Sequence, residues 1–154
     1  MKSLTEYIIE KILINKKSKF INKIKVESKD KLQSIIQERY NSNNAFIDLT
    51  DIDISELDNL SYIFYALNME VVDISGWNTS NVITMENMFS FCDKLKNIIG
   101  IENLDVSKLE DATSMFYCCK NLVELDLTNI KDDFLKAGIV NGSGITKNHY
   151  PKLK

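Results

Sequence analysis

With 154 residues, 44% of them apolar and 27% charged, the chain is long enough to bury one sizeable core and has the make-up of an ordinary globular domain. Five glycines and one proline argue against a long flexible linker, three cysteines argue against a disulfide scaffold, and the net charge of −3 is unevenly spread. Residues 1–45 carry +5, residues 46–130 carry −11 and residues 131–154 carry +3. The acidic middle repels a phosphate backbone, so nucleic acid is not expected along it; it steers toward a basic protein partner.

In the first twenty residues Glu6, Glu10 and Lys11 interrupt every apolar run, so no export signal is expected, and no later stretch is apolar enough to span a membrane. A cytoplasmic protein is the expectation. Ser3 can cap a first helix bearing Leu4, Tyr7, Ile8 and Ile12. Phe20 to Val26 alternates as a short strand, and Lys16, Lys17, Lys19, Lys23 and Lys25 make a candidate basic patch around it. Ser28-Lys29-Asp30 opens a second helix through Leu32, Ile35, Ile36 and Tyr40, which Asn41 to Asn44 end. Residues 1–45 thus read as an α-β-α cap.

The stretch from Gly76 to Cys92 recurs on either side of itself. With Ser55, Ser80 and Ser107 aligned, Leu57, Val82 and Leu109 fall into one column. Leu60, Met85 and Ala112 form a second, Ile63, Met88 and Met115 a third, and Phe64, Phe89 and Phe116 a fourth. Their relative offsets of 0, 3, 6 and 7 predict the buried side of a short helical or 3₁₀ turn. The phenylalanines are 25 and 27 residues apart, a period of solenoid size. Each copy adds a strand triplet, Ile47-Asp48-Leu49, Val72-Asp73-Ile74 and Leu125-Asp126-Leu127, with the less regular Ile98-Ile99-Gly100 between the last two. Alternation is expected to bury the outer members and expose the aspartate. The expected fold is therefore an α/β solenoid of about three to four coils over residues 46–130, each coil a strand and a helical turn, with the amino-terminal cap required to cover its end.

The pattern W-x-T-S-N-V-x-x-M-x-x-M-F-x-x-C-x-x-L, from Trp77 to Leu95, resembles the BspA-like leucine-rich repeat family. The next copy keeps Ser107, Leu109, Met115, Phe116, Cys119 and Leu122, with Leu104 in the Trp slot. The resemblance covers roughly residues 46–130 and implies a non-catalytic solenoid that presents a binding surface. Members of that family are often secreted or surface-attached, and the amino terminus here departs from that.

Beyond Ile130 the period fails. Phe134-Leu135 and Ile139-Val140 can form a closing turn and last strand, Asn141 to Gly144 is a turn signal, and Ile145 to Lys154 either folds back or frays. Cys92 and Cys119 share a repeat position and read as small core residues, with an oxidised bridge between them as the alternative. Ser55, Ser80 and Ser107 read as helix caps, the first and last in Ser-x-x-Asp/Glu capping boxes. His149 is the single histidine, and no nucleophile, phosphate-loop or metal-ligand pattern is present, so neither enzyme activity nor a cofactor is expected.

Asp48, Asp73 and Asp126 are expected on one strand face, interrupted by Ile99 and flanked by Thr50, Ser75 and Thr128. This is the candidate surface for Lys or Arg of a partner protein. The leading expectation is a protein-interaction module. A special case is a phage or mobile-element inhibitor of a host defence or nucleic-acid-targeting enzyme; nucleic-acid binding through the basic amino-terminal segment is a further alternative.

Overall fold

A computed structural model describes residues 6, 23–40, 45–126 and 138–145. The first element is β1 (Ile24–Lys25), followed by α1 (Lys29–Arg39). Helix α1 starts where expected: the Ser28 side chain accepts from the Lys31 amide at 3.2 Å, satisfying one orphan donor of the first turn. Its buried stripe is Leu32, Ile35 and Ile36. Of the first predicted helix only Glu6 is described, in helical conformation.

Four further strands follow: β2 (Phe46–Asp48), β3 (Ile52–Asp53), β4 (Val71–Asp73) and β5 (Asn97–Ile99). They form two small parallel sheets, β1–β3 and β2–β4–β5. In the larger sheet Asp48 pairs with Asp73, and Asp73 with Ile99. A 3₁₀ turn at Ile101–Asn103 follows β5. Helix α1 packs beside β2.

This arrangement overturns the expected solenoid of strand-plus-helical-turn coils. Residues 45–126 contain no α-helix, their strands are two or three residues long, and the described chain is a small α/β domain. The reason lies in the backbone between the apolar columns. Tyr62 and Ala66, Asn87 and Phe91, and Ser114 and Cys118 all have φ between 52° and 61°, a left-handed conformation that no right-handed helix accommodates. Alternate amides then leave the segment instead of bonding along it. Those of Leu60, Tyr62, Phe64 and Ala66 reach the carbonyls of Thr84, Glu86, Met88 and Ser90 at 2.9–3.0 Å. Those of Met85, Asn87, Phe89 and Phe91 reach Asp111, Thr113, Met115 and Tyr117 at 2.8–2.9 Å. Apolar offsets of 3, 6 and 7 were met by a laddered turn, not by a helix.

The four apolar columns are nonetheless all buried. In the pattern from Trp77 to Leu95, Trp77, Thr79, Val82, Met85, Met88, Phe89, Cys92 and Leu95 are all interior. Phe64, Phe89 and Phe116 stack nearly parallel at 4.9 and 5.6 Å, and Trp77 continues the stack beside Phe64 at 5.9 Å. The Trp77 indole N–H donates to the Leu49 carbonyl at 3.1 Å. The aligned thiols of Cys92 and Cys119 donate to the carbonyls of Phe64 and Phe89, both at 3.0 Å. Each is an unoxidised core residue, as the core reading holds.

The turns after β2, β4 and β5 approach one another so closely that a side chain has no room. A Cβ on Gly76 would lie 2.3 Å from the Thr50 carbonyl oxygen, and one on Gly100, at φ 91°, 2.3 Å from Ser75 Cα. At the far end the Phe116 and Cys118 amides donate to Ile139 and Asn141, and Gly144 donates back to Cys119. Residues 138–144 are turn and bend, so the last strand expected at Ile139-Val140 is not formed there, while the Asn141 to Gly144 turn is.

Candidate partner-binding face

Two of the three aspartates of the expected face, Asp48 and Asp73, are occupied by the fold. Asp73 is 3% exposed, since β4 is the central strand and all its residues are buried; the expected outward alternation does not hold there. Its Oδ1 accepts from the Ser75 amide at 3.0 Å and the Ser75 hydroxyl at 2.6 Å. Asp48 does the same with Thr50, at 3.0 and 2.8 Å. Asp126 is exposed and borders an open groove of about 360 Å³ with Glu102 and Glu124, over Ile98, Ile101 and Leu125. Ile99 is half-buried and Ser75 exposed, while Thr128 lies outside the described residues. Asp48 and Asp73 are thus brought together in register, but as turn-forming carboxylates.

That device recurs. The amides of Ser55, Ser61, Ser80, Ser107 and Thr113 are bonded by the side chains of Asp53, Asn59, Asn78, Asp105 and Asp111 two residues earlier. Ser55, Ser80 and Ser107 therefore sit inside Asx turns and do not cap helices, because a short Asp or Asn side chain offers the backbone a competing local partner. Hydrogen bonds from Ser55 and from Ser107 hold the carboxyls of Asp53 and Asp105 below the usual range, so both stay ionised.

Of the basic patch, Lys16, Lys17 and Lys19 lie outside the described residues. Lys23 donates to the Gly76 carbonyl, and Lys25 pairs with Glu56 at 2.6 Å, which raises its pKa chiefly through that hydrogen bond. Both exposed lysines are engaged with the repeats, Lys25 with the leading copy and Lys23 with the middle one.

An exposed aromatic row went unread in the sequence. Tyr62, Tyr65, Phe91 and Tyr117 are 37–43% exposed and touch in succession, with centroids 5.6, 5.6 and 5.3 Å apart and planes tilted by 51°, 67° and 76°. The laddered turn creates it. Tyr65 and Tyr117 directly follow buried Phe64 and Phe116, while Tyr62 and Phe91 are themselves left-handed and point away from the interior. The available signal was an aromatic residue at an offset the helical reading made polar. One carboxylate touches the row. The Tyr62 hydroxyl donates to Glu86 at 2.9 Å, a bond that pushes its pKa up, and accepts from Asn87 at 3.0 Å. Lys29 lies 6.0 Å over the Tyr62 ring. Two residues after Phe91 in sequence, Asp93 has Lys120 Nζ 3.5 Å from both of its carboxylate oxygens.

The thiols of Cys92 and Cys119 are not placed for chemistry. Burial pushes the Cys92 thiol far up and that of Cys119 to about 12, so both are neutral and enclosed. Among the described residues no three His, Cys, Asp or Glu groups gather to hold a metal ion, and no helix is long and apolar enough to cross a membrane.

No curated protein and no solved structure matches the chain. A family model does, over residues 16–136, well beyond half of the sequence and across all the repeats. On that match the chain belongs to the family described as Mycoplasma protein of unknown function, DUF285.

Proposed function

We propose that the protein is a non-catalytic module that binds a partner protein through the exposed, acidic side of its repeats, at the aromatic row. The observation that carries this reading is the division of labour within each copy. The positions of the recurring pattern are consumed by packing, as Trp77, Met85, Phe89 and Cys92 illustrate, whereas Tyr65, Phe91 and Tyr117 stand outside it in contact with one another. Large exposed rings held in place by the fold are suited to protein contacts, because they offer apolar area at small loss of side-chain freedom. The charge of −11 over residues 46–130 favours a basic partner and disfavours a phosphate backbone. The BspA-like resemblance of Trp77 to Leu95 supports the same class of role, as kinship of motif and not of overall fold.

The test is affinity capture from source lysate with nuclease present, comparing the intact chain with a Tyr65→Ser, Phe91→Asn, Tyr117→Ser variant. Asparagine is chosen at 91 because it tolerates the left-handed backbone there. A stoichiometric protein captured by the intact chain and lost from the folded variant is the expected result. Capture that depends on nucleic acid, or that the variant leaves unchanged, overturns the reading.

A further inference from the structure

The strand ladder and the turn ladder end at different places. On the strand side, two amides of each copy meet one carbonyl of the copy before. Glu70 and Val71 reach Ala45, and Lys96 and Asn97 reach Glu70, at 2.7–3.2 Å. The Lys96 carbonyl holds the same place in its copy, yet among the described residues no amide reaches it, although Val123 and Glu124 stand at the matching positions. The turn ladder carries on, from Phe116 and Cys118 to Ile139 and Asn141. The last copy is thus tied in on its turn side and parted from β5 on its strand side, where Val123 is 53% exposed.

The groove of about 360 Å³ lies at that break, lined by Asn97, Ile98 and Ile101 of the β5 copy and by Glu124, Leu125 and Asp126 of the next. In the parallel register with β4, Asn97 and Ile99 turn their amides and carbonyls toward β4, and Ile98 turns its own away. Among the described residues no hydrogen bond reaches the Ile98 amide or carbonyl, and that residue is 2% exposed. Buried backbone groups without partners are costly, and along a strand edge they template another strand. Extended polypeptide completes such an edge, whereas a sugar or a nucleobase lacks the repeating amide and carbonyl that match it. Charge narrows the class. Glu102, Glu124 and Asp126 surround a floor of Ile98, Ile101 and Leu125, which disfavours phosphate and acidic segments and favours Lys or Arg beside an apolar residue. We propose that the groove takes an extended basic segment of a partner protein, which adds as a strand to the outer edge of β5. This surface shares no residue with the aromatic row and does not depend on it.

The experiment is selection of a random-peptide display library on the full chain, followed by titration of the enriched peptides and amide exchange of the protein. Peptides with Lys or Arg beside an apolar residue should be enriched, and the Ile98 amide should gain protection when they bind. N-methylation of a bound peptide at every second residue should cost about tenfold in affinity in one phase and little in the other, because only alternate amides face β5. Glu102→Gln with Glu124→Gln should weaken binding severalfold and flatten its salt dependence. The Tyr65→Ser, Phe91→Asn, Tyr117→Ser variant should bind these peptides unchanged. No enrichment, enriched peptides without Lys or Arg, equal tolerance of N-methylation in both phases, or an Ile98 amide left unprotected would overturn the inference. Loss of peptide binding in the ring variant would overturn it as well, by moving the site to the row, whereas loss of lysate capture alone in that variant bears the two readings out separately.

Discussion

Removing the middle ring of the Phe64–Phe89–Phe116 stack measures how far that column carries the domain. Phe89 is 0% exposed, with Phe64 on one face at 4.9 Å and 5° and Phe116 on the other at 5.6 Å and 9°. Truncating a buried phenylalanine to alanine costs about 3–5 kcal/mol, and two stacked partners worth about 0.5–1.5 kcal/mol each place Phe89→Ala at the upper end, about 5 kcal/mol. Phe89→Leu keeps most of the volume and loses mainly the stacking, about 2 kcal/mol. Against a total of about 5–15 kcal/mol for a domain, the first change leaves little margin and the second a folded protein. Urea unfolding followed by the fluorescence of the single, buried Trp77 reads both, since its indole lies next along the stack. With a slope of about 1–3 kcal/mol per molar urea, the alanine variant should lose about 2 M in midpoint. A loss below about 2 kcal/mol for alanine, or equal losses for both variants, would refute the assignment of this column as the core.

Backbone contact at Gly76 makes Gly76→Ala overpacked by the Thr50 carbonyl, and a loss of about 2–3 kcal/mol in thermal or urea unfolding is expected; a neutral change would contradict that approach. Ala66, exposed at φ 58°, should show the opposite sign, with Ala66→Gly stabilising by roughly 0.5–1 kcal/mol. The thiols of Cys92 and Cys119 titrate far higher folded than the ~8.5 of an unfolded cysteine, so their stabilisation is complete below about pH 8.5 and is lost as pH rises toward the folded values, by ~1.4 kcal/mol per pH unit for each thiol. Cys119→Ala should reduce that alkaline slope, and an unchanged slope between pH 9 and 10 would sink the argument. Arg39 binds Asp51 through two hydrogen bonds, of 2.6 and 3.1 Å, and the first cause of the lowered Asp51 pKa is that contact. Its contribution is full above about pH 4 and lost as pH falls through the depressed value; Asp51→Asn should cost about 1 kcal/mol at pH 7, a gap that closes in acid.

Much of the interior was legible along the chain. Apolar identity at fixed intervals survives any choice of backbone conformation, so the columns through Val82, Met85, Met88 and Phe89 were read correctly while the helical turn assigned to them was not. The Ser28 cap and the apolar stripe of α1 are local signals within four residues, and they hold for that reason. The left-handed residues carried no such mark, because Tyr62, Ala66 and Phe91 are types that seldom adopt that backbone and do so here under the pull of ladder bonds from the next copy.

By itself the sequence determined the repeat register, the burial of its apolar columns, the core role of Cys92 and Cys119, and the acidic balance of the middle of the chain. Tertiary structure alone decided that Asp73 sits inside on a central strand, that Asp48 and Asp73 serve turns, and that Tyr62, Tyr65, Phe91 and Tyr117 meet on the outside. The physical reason is that hydrophobic spacing constrains which residues leave water, whereas the direction of the remaining side chains depends on φ and ψ, and these were set by hydrogen bonds between residues some 25 positions apart.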